Sequence, residues 1–359
     1  RINQNNVSDQ ELIDSFNIIT EALKANNLQL TFFEFITLSA WQIFSTKNLD
    51  VLLLEIGLGG RLDAVNAIPK DLAIITSVDF DHQEYLGNDL ESIGYEKAGI
   101  IENNKPVIYG DCLNSRPNVI SKIAQDRGAK LFQFGQDYDL LSDQNNLVYH
   151  NDNKVVKLEV TNSNSIRINN IATSLKALSV FLEYKNYDVE KVANIISKTI
   201  DNFKLIGRCS WLNNNKTILL DVAHNPQAVK NLTNFLQTNI QSNQKIIALF
   251  GMLKDKNIAE SMSIINPCIN HWYLCATTKD YNSHTINPRG TSAHELAEIL
   301  KSIDTHRQYS CFDDITECCQ TAYNFIEQNK DNNSILVIFG SFHIVGPAYE
   351  IYNNIKRLN

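Results

Sequence analysis

The sequence has 359 residues, of which 43% are hydrophobic and 20% are charged. This length predicts two globular domains rather than one core, and the hydrophobic content excludes a disordered chain. The formal net charge of −8 lacks the basic excess that nucleic-acid-binding proteins carry, so we predict no nucleic-acid partner.

The seven cysteines are scattered along the chain and form no C-x-x-C pair. We therefore predict neither a disulfide framework nor a structural zinc site, and we interpret the cysteines as reduced thiols of a cytoplasmic protein. No apolar run is long enough to cross a membrane and no secretory signal is visible, so no membrane partner is predicted either.

The first half of the chain alternates helical and extended patterns. Apolar spacing predicts helices over residues 10–24, 33–44, 90–99 and 119–127, and solid apolar runs predict strands over 51–54, 73–78 and 106–109. This alternation predicts a parallel sheet covered on both faces. Residues 131–160 are polar with short alternating segments, which predict a small antiparallel addition, and two helices follow over 169–184 and 189–200.

The second half begins a new alternation. Strands are predicted over residues 217–221, 245–250, 272–276, 309–312 and 335–339, with helices between them and a last helix over 344–356. We predict an α/β protein of two doubly wound domains, residues 1–204 and 205–359.

Polar side chains follow two of the predicted strands in the first half. Glu55 ends the 51–54 run and precedes a glycine-rich segment, residues 57–60, while His82 follows the 73–78 strand. We expect these two strands to be neighbours, and a carboxylate beside an imidazole near bound phosphates suits Mg²⁺, which takes few protein ligands. The segment is not a dinucleotide fingerprint, because Leu62 stands where a glycine is needed. A turn whose glycines serve only packing, and a structural histidine, remain alternatives.

Four further residues are candidates for a functional role. Lys97 lies in the last turn of a predicted helix, where composition alone favours a solvated partner of the helix dipole. Asp221 and His224 follow the first strand of the second domain, just before a helix that opens at Pro226. Ser341 follows the last strand in the same way.

Together these segments resemble one family. They are "TFFEF" (31–35), "LLLEIGLGGRLDAVN" (52–66), "ITSVDFDHQEYLG" (75–87), "ESIGYEKAGI" (91–100), "IGRC" (206–209), "DVAHNPQA" (221–228), "GMLKDKN" (251–257) and "FGSFH" (339–343). In this order and spacing they resemble the bifunctional dihydrofolate synthase/folylpolyglutamate synthases of the Mur-ligase superfamily.

The resemblance implies a P-loop-type Mur-ligase central domain followed by a Rossmann-like C-terminal domain. It implies an ATP- and Mg²⁺-dependent ligase, monomeric, that activates the carboxylate of dihydropteroate or of a reduced folate as an acyl phosphate. The amine of L-glutamate then displaces the phosphate.

The resemblance also implies roles for individual residues. Magnesium would be held by Glu55, His82 and, once carbamoylated, Lys97. The pterin pocket would be lined by Thr31, Phe32, Phe33, Glu34, Leu62, Asp63 and Ala64. ATP would contact Asn170, Arg208 and Asp221, and glutamate would lie near His224 and Ser341. Lys97, Asp221 and His224 are the residues expected to take part in catalysis.

Two departures from the family pattern bear on these expectations. Ile168 stands where the family has a glutamine, two residues before Asn170. No G-x-x-x-x-G-K-[ST] occurs in the sequence, so we expect a chain truncated before Arg1 and inactive by itself. Another Mur-type amino-acid ligase, or a degenerate non-catalytic paralogue that binds pterin or nucleotide, remains an alternative. A nicotinamide dehydrogenase is disfavoured, because no G-x-G-x-x-G follows any strand.

Overall fold

A computed structural model describes residues 1–80, 83–111, 117–143, 146–152, 154–160, 168–184, 188–203, 205–213, 215–241, 243–329 and 333–358. The chain forms two compact units. Unit 1 comprises residues 1–157 and 168–193, and unit 2 comprises residues 158–167 and 194–359. The domain boundary between residues 204 and 205 stays a prediction. In the described part of the chain, every helix is too short or too polar to span a membrane.

Up to residue 192 the chain forms six helices and six strands within the described ranges. The helices are α1 (Asp9–Asn26), α2 (Phe32–Ser45), α3 (Gln83–Leu86), α4 (Leu90–Ala98), α5 (Asn118–Asp126) and α6 (Ile168–Tyr184), with 3₁₀ turns at Ala64–Ala67 and Val189–Val192. The strands are β1 (Ala73–Ser77), β2 (Val107–Asp111), β3 (Leu131–Gln133), β4 (Tyr138–Asp143), β5 (Asn146–Asn151) and β6 (Lys154–Glu159).

Strands β1, β2 and β3 form a parallel sheet in that order. One face packs on α4 and α5, because Tyr109 lies in the same buried cluster as Ala98 and Ile120. The other face receives α6, and a Cβ built at Gly110 would lie only 2.8 Å from the Thr173 hydroxyl. The prediction of a parallel sheet covered on both faces is therefore confirmed for unit 1.

Two strand predictions in unit 1 are wrong. Residues 51–54 are not a buried strand: Val51 is 50% exposed and Leu53 87% exposed. A strand needs a neighbour's N–H and C=O groups, and β1 pairs only with β2 among the described residues. Residues 131–133 belong to the parallel sheet rather than to the antiparallel addition, which comprises β4, β5 and β6 in that order.

Unit 2 contains a six-stranded sheet and six helices in its described part. The strands are β7 (Ser210–Trp211), β8 (Ile218–Leu220), β9 (Lys245–Phe250), β10 (His271–Cys275), β11 (Gln308–Phe312) and β12 (Ser334–Phe339). The helices are α7 (Ala193–Asn202), α8 (Pro226–Asn239), α9 (Ile258–Ile265), α10 (Ala293–Ile303), α11 (Ile315–Gln328) and α12 (Phe342–Leu358), with a 3₁₀ turn at Asn266–Cys268. The sheet order is β11-β10-β9-β12-β8-β7, parallel except for the short β7.

The buried strands of unit 2 alternate between two cores. Leu219, Phe250 and Phe339 pack on one face with residues of α8, α9 and α10. Leu220 and Ile338 point to the other face, toward α11 and α12. Since β12 lies between β8 and β9, the chain reverses its winding there, and the carboxyl ends of β8 and β12 lie side by side. Ligands of doubly wound sheets bind at such a switch point. The second doubly wound unit is thus confirmed.

Candidate active site

The glycine-rich segment of unit 1 is folded around the Asp63 carboxylate. One carboxylate oxygen accepts from the backbone N–H groups of Gly57 and Leu58, at 3.0 and 2.9 Å. The other caps the 3₁₀ turn by accepting from the N–H of Val65 at 2.9 Å. Asp63 therefore organises this loop, and the direct substrate contact expected of it stays a prediction.

The loop rests on the C-terminal end of α4. The backbone N–H of Arg61 donates to the Glu96 carbonyl at 2.8 Å, and the Arg61 guanidinium pairs with the Glu96 carboxylate at 2.9 Å. Gly60 has a φ of +155°, and a Cβ there would lie 2.9 Å from the same carbonyl oxygen. Only glycine permits this approach, which brings the loop next to Lys97 at the end of α4.

The predicted magnesium ligands are only partly described. Glu55 is exposed just before the loop, and in the described part of the chain no group hydrogen-bonds to its carboxylate. Such a free, hard oxygen donor fits Mg²⁺, which is commonly held by one or two carboxylates together with phosphates and water. His82 lies outside the described residues, so its proximity to Glu55 stays a prediction. The described ranges contain no cluster of three or more His, Cys, Asp or Glu that could hold a metal.

The start of α2 contributes an aromatic contact to the loop. The Thr31 hydroxyl and the Glu34 carboxylate form a capping box, which occupies their polar atoms and lowers the pKa of Glu34 through hydrogen bonds from Thr31. The Phe33 ring packs so closely on Gly57 that a Cβ there would lie 2.6 Å from it. Phe32 and Leu62 are 82% and 78% exposed, respectively. They leave apolar surface free for an aromatic ligand.

Two further candidate residues of unit 1 lie at the starts of helical segments. Ala64 opens the 3₁₀ turn that Asp63 caps. Asn170 is exposed in the first turn of α6, which begins at Ile168.

In unit 2, Asp221 follows β8 and is only 8% exposed. One oxygen accepts from the backbone N–H of Ala223 at 2.7 Å. The other accepts from both the N–H and the thiol of Cys209, at 2.8 and 3.2 Å. Burial raises the pKa of Asp221, and these donors together with the Arg208 charge counteract only part of that rise.

His224 and Ser341 approach the same edge of the sheet from adjoining strands. His224 Nδ1 lies 2.8 Å from the Val222 carbonyl; because a carbonyl only accepts, Nδ1 carries the proton and Nε2 is left as an acceptor. The His224 ring lies 6.4 Å from that of Phe342. Ser341 is buried, and its hydroxyl accepts from the N–H of His343. The structure thus brings Asp221, His224 and Ser341 to adjoining strand ends, and their roles stay predictions.

Sequence reasoning missed two contributors to this edge. Phe342, 63% exposed, directly follows Ser341 in the quoted segment "FGSFH", so the motif itself could have drawn attention to it. Cys209 ends the quoted segment "IGRC", but that segment does not reveal its contact with Asp221, which depends on a left-handed backbone, φ +42°.

Comparison with known proteins places these features in context. The family described as "Mur ligase, glutamate ligase domain" matches residues 207–342. The chain is 34% identical over 370 residues to the dihydrofolate synthase/folylpolyglutamate synthase of Haemophilus influenzae, covering 98% of this chain and 78% of that protein. It is also 34% identical over 325 residues to the Escherichia coli counterpart, covering 90% of this chain and 70% of that one.

Solved structures resemble the fold over almost the whole chain. Escherichia coli FolC in complex with DHPP and ADP superposes with a TM-score of 0.85 at 30% identity, covering 99% of this chain and 78% of that one. A bifunctional folylpolyglutamate synthase/dihydrofolate synthase with Mn, AMPPNP and L-glutamate bound has a TM-score of 0.79 at 33% identity, covering 99% and 79%.

Proposed function

This chain belongs to the dihydrofolate synthase/folylpolyglutamate synthase family, and we propose that it joins L-glutamate to dihydropteroate, and to the γ-carboxylate of reduced folates, at the expense of ATP. The observation that carries the proposal is the meeting of Asp221, His224 and Ser341 at the adjoining ends of β8 and β12. This constellation lies within residues 207–342, which match the glutamate ligase domain.

The reaction needs activation because a carboxylate is a poor electrophile. Its oxygen attacks the γ-phosphorus of ATP, so that ADP leaves and an acyl phosphate forms. The amine of glutamate then attacks the acyl carbon, the C–O bond to phosphate breaks, and the amine proton passes to a base. Nε2 of His224 would accept that proton, because Nδ1 already donates its hydrogen to the Val222 carbonyl.

Nucleotide recognition is assigned to Arg208, Asp221 and Asn170. Arg208 is exposed beside the buried Asp221, which suits contact of the guanidinium with phosphate oxygens. Both oxygens of Asp221 already accept hydrogen bonds from the protein. Their remaining lone pairs would accept a hydrogen bond from a ribose hydroxyl or from a water molecule. Asn170 is exposed, and its amide could accept or donate a hydrogen bond to the nucleotide.

We also assign a divalent cation to unit 1, and the Mn of a related structure supports that assignment. Mg²⁺ would be held by Glu55, by His82 and by a carbamate on Lys97, and it would offset charge on the transferring phosphoryl group. Lys97 lies where the loop carrying Arg61 docks on α4, so a carbamate there would be close to the glycine-rich backbone. The exposed Phe32 and Leu62 would contact the pterin ring.

The decisive assay uses protein expressed from its complete reading frame, incubated with ATP, Mg²⁺, L-glutamate and dihydropteroate labelled with ¹⁸O in its carboxylate. We expect the glutamylated product by mass spectrometry and ¹⁸O in the released phosphate, because the acyl phosphate carries a carboxylate oxygen to phosphorus. Asp221→Asn should abolish product formation, whereas Asp71→Asn, at an exposed ion pair with Lys105, should leave it unchanged.

Other outcomes would select the alternatives. Ligation of an amino acid to a UDP-sugar peptide, without turnover of dihydropteroate or folates, would identify another Mur-type ligase. Tight binding of pterin or ADP without any turnover would identify a non-catalytic relative. The protein is proposed to act as a monomer, and light scattering after gel filtration in the presence of ADP would contradict this by returning twice the chain mass.

A further inference from the structure

The contact between Cys209 and Asp221 is unusual for a cysteine. The backbone N–H and the thiol of Cys209 donate to the same carboxylate oxygen, at 2.8 and 3.2 Å. Both donors reach that oxygen from a left-handed backbone, φ +42°, which residues with a Cβ rarely adopt. A strained conformation persists only where the surroundings stabilise it, and here the hydrogen bonds to the buried Asp221 carboxylate do so.

The neighbouring backbone fixes this arrangement. The Val222 N–H donates to the Gly207 carbonyl at 2.8 Å, and the Gly207 N–H donates to the Ser210 hydroxyl at 2.8 Å. Ser210 pairs with Leu220 in the antiparallel ladder between β7 and β8. The turn is therefore tied to β8 on both sides of Cys209.

The turn directs two adjacent side chains to opposite sides, one inward and one toward solvent. Cys209 points inward and is half-buried against Asp221, whereas Arg208 is exposed. A change at residue 209 would thus reach the buried carboxylate through a hydrogen bond and the guanidinium through the backbone.

We propose that Cys209 is a positioning residue that holds Asp221 in place and presents Arg208 outward to the nucleotide. The inference rests on the proposed function, which assigns both of those residues to ATP. In this role Cys209 acts through Asp221 and Arg208; its thiol supplies one of the three hydrogen bonds that the Asp221 carboxylate accepts within the described residues.

Substitution separates the thiol from the backbone. Cys209→Ser keeps a side-chain donor, Cys209→Ala removes it while keeping the Cβ, and Cys209→Gly removes both the thiol and the left-handed strain. We expect the Ala and Gly variants to raise the KM for ATP roughly tenfold, with a smaller change in kcat. The acidic limb of the pH profile of kcat/KM should also move upward by about one pH unit, because the charged form of Asp221 loses a hydrogen-bond donor.

The serine variant should restore both the KM and the profile toward wild type. Cys311→Ala, in the same unit but with its thiol directed to the Ala293 carbonyl, is the matched control and should change neither. Equal KM values and profiles in wild type and in the Ala and Gly variants would overturn the proposal, provided that wild type ligates.

A second measurement is independent of ligation. The Asp221 charge disfavours the Cys209 thiolate, so Asp221→Asn should speed alkylation of Cys209 by iodoacetamide, relative to Cys311 in the same molecule, by roughly threefold or more. Peptide mass spectrometry reads both sites at once. An unchanged ratio would refute the Cys209–Asp221 contact, whereas a changed ratio in a protein without ligase activity would refute only the proposed function.

Discussion

Removal of the Asp63 carboxylate should loosen the glycine-rich loop without unfolding the protein. Asp63→Ala deletes three backbone-to-carboxylate hydrogen bonds, from Gly57, Leu58 and Val65. At about 1 kcal/mol each for a half-buried group, roughly 3 kcal/mol of local stability is lost, which corresponds to about a hundredfold more frequent opening. Asp63→Asn keeps one acceptor oxygen and at best two of these bonds, so its effect should be about tenfold.

Hydrogen exchange measured by mass spectrometry reports this opening directly. Peptides that cover residues 57–65 should exchange faster in the order wild type, Asn variant, Ala variant, while peptides from β9 and β12 in unit 2 stay unchanged. Asp71→Asn is the matched control in unit 1, because its carboxylate is 93% exposed and its ion pair contributes little.

The same series separates two roles for Asp63. If the carboxylate served only to contact the pterin, the Ala variant would raise the KM for dihydropteroate with normal exchange in the loop. Unaltered exchange at residues 57–65 in the Ala variant would therefore refute the assignment of Asp63 as the organiser of the loop.

Three further predictions follow from the site geometry. Gly60→Ala should lower the melting temperature of unit 1, because the new Cβ would clash with the Glu96 carbonyl. Gly346→Ala has open space around it in α12 and should instead stabilise the protein by about 0.5–1 kcal/mol. Equal shifts of the two variants in calorimetry would contradict this prediction. Burial raises the pKa of Asp221 in the folded protein, so the folded state binds that proton more tightly, and its contribution to stability is present below the ordinary pKa and lost as the pH rises through the raised one. The free energy of unfolding of Asp221→Asn minus that of wild type should thus increase with pH across that window, and a flat difference in urea titrations would exclude the effect. Lys97→Ala should abolish ligation and the carbamate signal that ¹³C-bicarbonate gives in NMR spectra of wild type; a wild-type spectrum without that signal would remove Lys97 from the metal site.

The fold of unit 2 could be predicted almost element by element from the sequence. Strands β9 and β12 are apolar runs buried on both faces, and helices with polar outer faces separate the strands, so length and period leave little ambiguity. Residues 51–54 show the limit of the same reasoning. The run Val51 to Leu54 is as apolar as β12, yet it forms no strand, because an apolar run becomes a strand only when a neighbouring backbone offers partners.

The positions of candidate residues that follow strand ends could be predicted from the sequence, whereas contacts that depend on backbone conformation could not. Asp221 and His224 come directly after β8, so the topology alone brings them to the switch point beside Ser341. Two contacts depend on backbone dihedral angles that several sequences could adopt. They are the contact of the Asp63 carboxylate with Gly57 and that of Cys209 with Asp221.

Both units use an aspartate to gather backbone N–H groups, but the two carboxylates act on stability in opposite directions. Asp63 is half-buried and closes a loop, so its hydrogen bonds stabilise the fold. Asp221 is buried, and desolvation raises its pKa despite three hydrogen bonds, so its ionised form is held in an unfavourable place. An uncharged side chain would fold at least as well there at high pH, which means that the fold does not explain the charge. The proposed contact of Asp221 with the nucleotide would explain the charge, and the donors on Cys209 and Ala223 would then hold the acceptor in position.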